Sequence, residues 1–162
     1  MFIASLIVIA ASVDAQAYDF TASDSHNNTI YYNINAATGT AEVTFKDASY
    51  NSYSGIVSIP SQVSNGNIVY SVTAVGDNAF RDCGQLSAVE IGENVETIGK
   101  RSFMNCSNLT LMTIAKGVTA IGDYAFAQCT NLYKVTFNND EALEIGAGAF
   151  LRCDKLKTVK WN

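Results

Sequence analysis

The stretch "IGDYAFAQCTNL", residues 121–132, decides the fold, because the chain writes it four times. Alone it would pass for the middle of an amphipathic helix. Its companions are "VGDNAFRDCGQL" at residues 75–86, "IGKRSFMNCSNL" at 98–109 and "IGAGAFLRCDKL" at 145–156. Aligned on phenylalanine, they place Phe80, Phe103, Phe126 and Phe150 at separations of 23, 23 and 24 residues. A period of about 20 to 50 residues marks stacked coils rather than a closed globule. The one extra residue falls in "NNDEAL", residues 138–143, a polar stretch between columns where a solenoid tolerates insertion.

The other columns keep step. They are Gly76, Gly99, Gly122 and Gly146; Cys83, Cys106, Cys129 and Cys153; Leu86, Leu109, Leu132 and Leu156; Val89, Met112, Val135 and Val159; Ile91, Ile114, Phe137 and Trp161. In "LSAVEI", residues 86–91, Val89 and Ile91 alternate with Ala88 and Glu90, the pattern of a strand buried on one side. "VETIG", residues 95–99, offers a second short extended run, and a glycine after it can take a positive φ to turn a corner. Phe103, Cys106 and Leu109 then recur at three-residue steps, which predicts a short helical or 3₁₀ turn with one face inward. Stacking such coils sets equivalent residues about 4.8 Å apart and builds a parallel sheet. One coil cannot bury its own apolar face, so neighbours must supply the packing.

These residues resemble the BspA-type leucine-rich repeat, whose coils read I-G-x-x-A-F-x-x-C-x-x-L-x-x-V-x-I. The resemblance runs over residues 56–161 if "IVSIPSQV", residues 56–63, is the strand half of a first, incomplete coil. There Val57, Ile59 and Val63 keep the spacing of Val89, Ile91 and Val95, and a nine-residue insertion at 64–72 carries the tight-turn signal Asn65-Gly66. The family's proline after the strand survives only as Pro60, and Ser102 replaces the alanine before Phe103. The resemblance implies an α/β solenoid: a leucine-rich-repeat-like right-handed coil with a parallel sheet and short helical turns. It comprises one partial and four recognisable coils over residues 56–162. Trp161 in a core column makes the array either a piece of a longer one or an array with Trp161 as its lid.

Upstream, residues 18–55 lack the repeat. "TIYYNIN" at 29–35 and "TAEVTF" at 40–45, joined around Gly39, read as a β-hairpin, an N-terminal cap over the open edge of the first coil. Residues 1–17 run apolar and then small and polar, with Ala15-Gln16-Ala17 supplying the spacing read by a signal peptidase. This predicts a signal peptide and a secreted or cell-surface product, its ten bases set against fourteen acids once Asp14 is removed. The apolar core is too short to span a bilayer, which takes about 20 residues.

With 48% apolar and 15% charged residues the chain is globular, and its net charge of −5, with bases scattered singly, offers no footprint for nucleic acid. Four cysteines in an exported chain would ordinarily form disulfides. Side chains of one column point the same way, however, whereas a disulfide needs converging Cβ vectors, so free buried thiols are expected and no metal site. His26 is the only histidine and lies in a polar run, and Asp77, Asp82 and Asp123 read as turn or cap residues. No nucleophile, base and orienter come together, so neither an enzyme nor a cofactor is expected.

What remains are the outward strand positions, which should form one continuous face: Ala88 and Glu90, Leu111 and Thr113, Lys134 and Thr136, Thr158 and Lys160. A solenoid's sheet is a wide, rigid docking surface. The expected protein-binding residues are Glu90, Leu111, Thr113, Tyr133, Lys134, Thr136 and Lys160, with Leu111 beside Tyr133 and Lys134 as the central contact. The resemblance implies adhesion to an extracellular or cell-surface protein, such as a matrix protein of the fibronectin or fibrinogen kind. The alternative is a structural spacer or targeting array within a larger exported protein. Polysaccharide recognition would want several exposed aromatics on one face, and only Tyr133 offers itself.

Overall fold

A computed structural model describes residues 17–138 and 142–161. The expected signal peptide, but for Ala17, lies outside them, as do residues 139–141 of the inserted stretch. The N-terminal strands are β1 (Phe20–Ser23), β2 (Thr29–Asn35) and β3 (Thr40–Thr44). β4 (Gly55–Ile59), β5 (Gln62–Asn65) and β6 (Ile68–Val75) follow. The repeats supply two strands each: β7 (Leu86–Ile91) and β8 (Thr97–Ile98), β9 (Leu111–Ile114) and β10 (Ala120–Ile121), β11 (Lys134–Phe137) and β12 (Glu144–Ile145), then β13 (Thr158–Trp161).

One side of the solenoid is the parallel ladder β6-β8-β10-β12, in which Val75, Ile98, Ile121 and Ile145 lie in register. The expected hairpin is β2–β3, and β3 pairs in parallel with β6, so β1-β2-β3 prolongs this sheet upstream. Asp24 fastens the segment to the repeats: it accepts the amides of His26, Asn28 and, across the chain, Ser58. The insertion after the first partial coil becomes a second hairpin, β5–β6, turning at Gly66 with φ of 61°.

The opposite side holds the strands of the docking face. β9-β11-β13 are parallel and in register, with Met112, Val135 and Val159 aligned. β4 and β7 pair separately, with Val57 opposite Val89 and Ile59 opposite Ile91. A register shift leaves Ser87 bulged, and β7 forms no ladder with β9. The face is therefore two sheets rather than the continuous one expected.

Between the two sides run the turns. No α- or 3₁₀-helix occurs among the described residues, so the expected helical turns and the α/β label give way to an all-β solenoid. Each phenylalanine is bracketed two residues before and after by a residue of positive φ: Asn78 and Asp82, Arg101 and Asn105, Tyr124 and Gln128, Gly148 and Arg152. A left-handed residue at every fourth position breaks any helix. Alternate amides then leave the coil. Phe80, Phe103 and Phe126 donate to the carbonyls of Ser102, Ala125 and Ala149, each at 2.7 Å. The intervening amides close turns within the coil, as Cys83 does onto Phe80. Buried backbone polar groups are thus paired without a helix.

The glycine column has a different cause from the one expected. None of Gly76, Gly99, Gly122 and Gly146 has positive φ. Their neighbours in the stack leave no room for a side chain: a Cβ on Gly122 would lie 2.7 Å from the Lys100 nitrogen and 2.8 Å from the Gly99 carbonyl carbon. Asp77 and Asp123 likewise act between coils rather than capping their own turns, Asp77 Oδ1 accepting the Lys100 amide at 2.7 Å and Asp123 Oδ1 the Ala147 amide at 2.9 Å.

Candidate protein-binding face

The core that sets this face is columnar. The Phe80, Phe103, Phe126 and Phe150 rings stack 4.9, 5.1 and 5.2 Å apart, and Tyr53 extends the column at 4.5 Å from Phe80. The four thiols beside it are free and buried, as expected from their shared direction. They are also more than apolar filler. Cys106, Cys129 and Cys153 donate their S–H to the carbonyls of Phe80, Phe103 and Phe126 in the preceding coil at 3.0–3.1 Å. Burial pushes the Cys83 thiol up to about 11 and the Cys153 thiol up to about 12; the hydrogen bond with Cys129, together with burial, raises Cys106 well above the ordinary range. These sulfurs are held protonated, which suits a donor and not a nucleophile. His26 is exposed in the β1–β2 turn beside Ser25 and Asp24, so imidazole and thiols do not meet.

On the outer side, cross-strand register brings the expected contact residues together in rows. Leu111 faces Lys134 and then Thr158; Thr113 faces Thr136 and then Lys160. The alternate positions, Met112, Val135, Ile114 and Phe137, are buried, which fixes the rows' direction. Leu111 is 44% exposed and Tyr133, just before β11, 47%. Glu90 stands apart on β7. Where β7 and β9 separate, a shallow trough forms, lined by Ala88, Glu90, Glu93, Leu111, Thr113 and Lys116 among others. It joins Glu90 to Leu111 and Thr113. Glu93 and Lys116 were not among the expected residues: they follow the strands, at positions with no part in the strand alternation. Tyr124 is the other exposed aromatic of the repeat turns and lies off this face, against Gly148. Trp161 stacks on Phe137 at 4.3 Å but is 55% exposed, so it occupies its column without being enclosed.

Among the described residues no group of three or more His, Cys, Asp or Glu side chains could hold a metal, and no helix is long and apolar enough to cross a membrane.

Solved structures share this architecture. A leucine-rich repeat protein from Bacteroides capillosus superposes with a TM-score of 0.70 at 24% identity, covering 89% of this chain and 99% of that one. One from Bacteroides ovatus gives 0.67 at 27% identity, over 88% of this chain and 41% of that one. The leucine-rich repeat protein of T. pallidum gives 0.63 at 22%, over 80% and 67%. None of the curated proteins matches the chain. Residues 60–162 match the BspA-type leucine-rich repeat region in six copies, well over half of the chain. The columns of Gly, Phe, Cys and Leu, the stacked rings and the matched repeats have one meaning: this chain belongs to the BspA-type leucine-rich repeat family.

Proposed function

We propose that the chain is an exported interaction module that binds another protein through the outward rows of β9, β11 and β13, with Glu90 at their upstream border. One observation carries this reading: Leu111–Lys134–Thr158 and Thr113–Thr136–Lys160 lie in strict parallel register, and under β9 and β11 the alternate residues Met112, Ile114, Val135 and Phe137 are buried. Side chains held this way form a preorganised surface that loses little freedom on binding. Leu111 and Tyr133 supply apolar area, Lys134 and Lys160 the charges that orient a partner, and the trough admits a protruding side chain. Adhesion to an extracellular matrix or cell-surface protein is the reading that family resemblance favours. Residues 1–17 direct export, and the β1–β3 segment caps the first coil.

The purified domain is expected to retain immobilised fibronectin, fibrinogen or another cell-surface protein. Changing Leu111, Tyr133 and Lys134 together to Asp, Ser and Glu should weaken capture by about tenfold or more while moving Tm by no more than about 3 °C. Unchanged capture by the triple variant would place the contact elsewhere, and failure to hold any such protein would favour a spacer. Export predicts a secreted product whose first residue is Tyr18.

A further inference from the structure

The separation of β7 from β9 leaves a trough of about 480 Å³, lined by Ala88, Glu90, Glu93, Leu111, Ala115 and Lys116 among others. That volume lies in the range that holds a small ligand, so one long side chain fits with room to spare. Ala88, Leu111 and Ala115 make it apolar, and its charges are two carboxylates against one ammonium. Glu90 and Glu93 are exposed, and among the described residues neither has an ion pair or a side-chain hydrogen bond. The fold does not demand acids at these positions. The Glu90 column continues as Thr113, Thr136 and Lys160, and Lys116 stands where the next coil repeats Glu93. Among the described strands β7 pairs only with β4, and β9 only with β11. The two edges facing the trough therefore keep backbone carbonyls that no ladder consumes.

We infer that the trough receives an arginine side chain of the bound protein. This rests on the reading of the face as protein-binding and adds the chemistry of the partner. A protein that covers Leu111 must also take Glu90 and Glu93 out of water, since all three line one depression. A carboxylate dehydrated without a cation is costly, which disfavours an apolar occupant and, more strongly, an acidic one. Lysine brings the charge, but its compact ammonium is more strongly hydrated than a guanidinium and gives up more on entering. Arginine suits both parts of the trough. Its stem lies along Ala88 and Leu111, while its planar head, with five N–H donors and no acceptor, serves the carboxylates and the open carbonyls. Lys116 shares the column of Glu93, whereas the neighbour of Glu90 in its column is the uncharged Thr113. Glu90 is therefore the main anchor and Glu93 the lesser one.

The probe is N-acetyl-arginine N-methylamide, titrated to about 10 mM into the ¹⁵N-labelled chain for an expected Kd of about 1 mM. It should move the amide signals of β7 and β9 and leave β1–β3 unmoved. The citrulline counterpart, of the same shape but uncharged, should bind about tenfold more weakly, with the lysine counterpart between them. Glu90→Gln, at an exposed position, should weaken the arginine probe by about tenfold with Tm nearly unchanged, and Glu93→Gln should weaken it less. Equal binding of the arginine and citrulline probes, shifts confined to other surfaces, or none by about 10 mM would overturn the inference. So would capture of an immobilised protein that the Leu111, Tyr133 and Lys134 triple variant loses but Glu90→Gln leaves intact, since the face would then bind protein without arginine. A seated arginine probe with no protein captured would instead count against the protein-binding reading and leave the preference of the trough standing.

Discussion

On the turn side of the solenoid, four phenylalanine rings stack within 5° of parallel and three amides cross every interface in the same pattern. On the strand side, β9, β11 and β13 hold register while β7, bulged at Ser87, separates from β9. The two sides belong to the same coils. They differ in what faces inward: the turn side commits its Gly, Phe, Cys and Leu columns to the core or to close contact with the neighbouring coil, so those residues must repeat. The strand side leaves alternate positions outside, and Ala88, Leu111, Lys134 and Thr158 succeed one another with nothing in common. Freedom of sequence there comes with freedom of geometry, and the trough beside Glu90 is its result.

The comparison breaks most visibly at Gly122. A side chain there collides with the Lys100 and Gly99 backbone, which cannot move without opening the ladder. Gly122→Val should therefore cost on the order of 3–5 kcal/mol or abolish cooperative unfolding, measured by urea titration. Thr136→Val, which places the same side chain on the outward face by exchanging a hydroxyl for a methyl, should change stability by no more than about 0.5 kcal/mol. Similar losses for both would mean that the turn side is no more constrained than the strand side.

A mid-sized effect tests the thiol ladder. A thiol whose folded pKa is raised contributes stability that is complete below its unfolded value near 9 and is lost as pH rises through the folded value. With Cys83 pushed up to about 11 and Cys153 up to about 12, Tm should stay level to about pH 8 and fall steadily above 9. Cys153→Ala removes one S–H···O bond to Phe126 and should lower stability by about 1–2 kcal/mol at pH 7, with a shallower alkaline decline. An unchanged alkaline slope would mean that the thiol already titrates freely.

How much of this was legible follows from the same division. The Phe, Cys and Leu columns could be read because each repeated letter has an inward position, and the pairing of Leu111 with Lys134 follows from the columns by register. The turn conformation could not. Asn78, Asp82, Asn105 and Gly148 tolerate positive φ, but Arg101, Tyr124, Gln128 and Arg152 do not signal it; the stack imposes it on them. Steps of three residues fit a helix equally well until the amides are seen to leave the coil. The glycine column gave the right position and the wrong reason, since crowding by another coil is invisible in a single coil's sequence. β1, four residues long, carries too little pattern to be read. Glu93 and Lys116 were missed because the trough arises from β7 and β9 separating, a relation between two strands that neither strand's sequence announces.

The smallest expected effect has the opposite sign. Ser102 occupies the column of Ala79, Ala125 and Ala149; it is fully buried, and its hydroxyl has no hydrogen-bond partner, although its carbonyl receives Phe80. A buried hydroxyl without a partner forfeits its hydration for nothing, a cost of about 1–3 kcal/mol, offset in part by the small gap its removal would leave. Ser102→Ala should therefore stabilise the chain by about 1 kcal/mol, raising Tm by about 2–8 °C in calorimetry. Ala125→Ser, its mirror in the next coil, should destabilise by a similar amount. Outward hydroxyls provide the control, because Thr113→Ala removes one that water already serves and should stay within about 0.5 kcal/mol of neutral. If Ser102→Ala proved destabilising, the hydroxyl would have to be bonded after all, and the turn side would tolerate a polar departure that its otherwise uniform columns forbid.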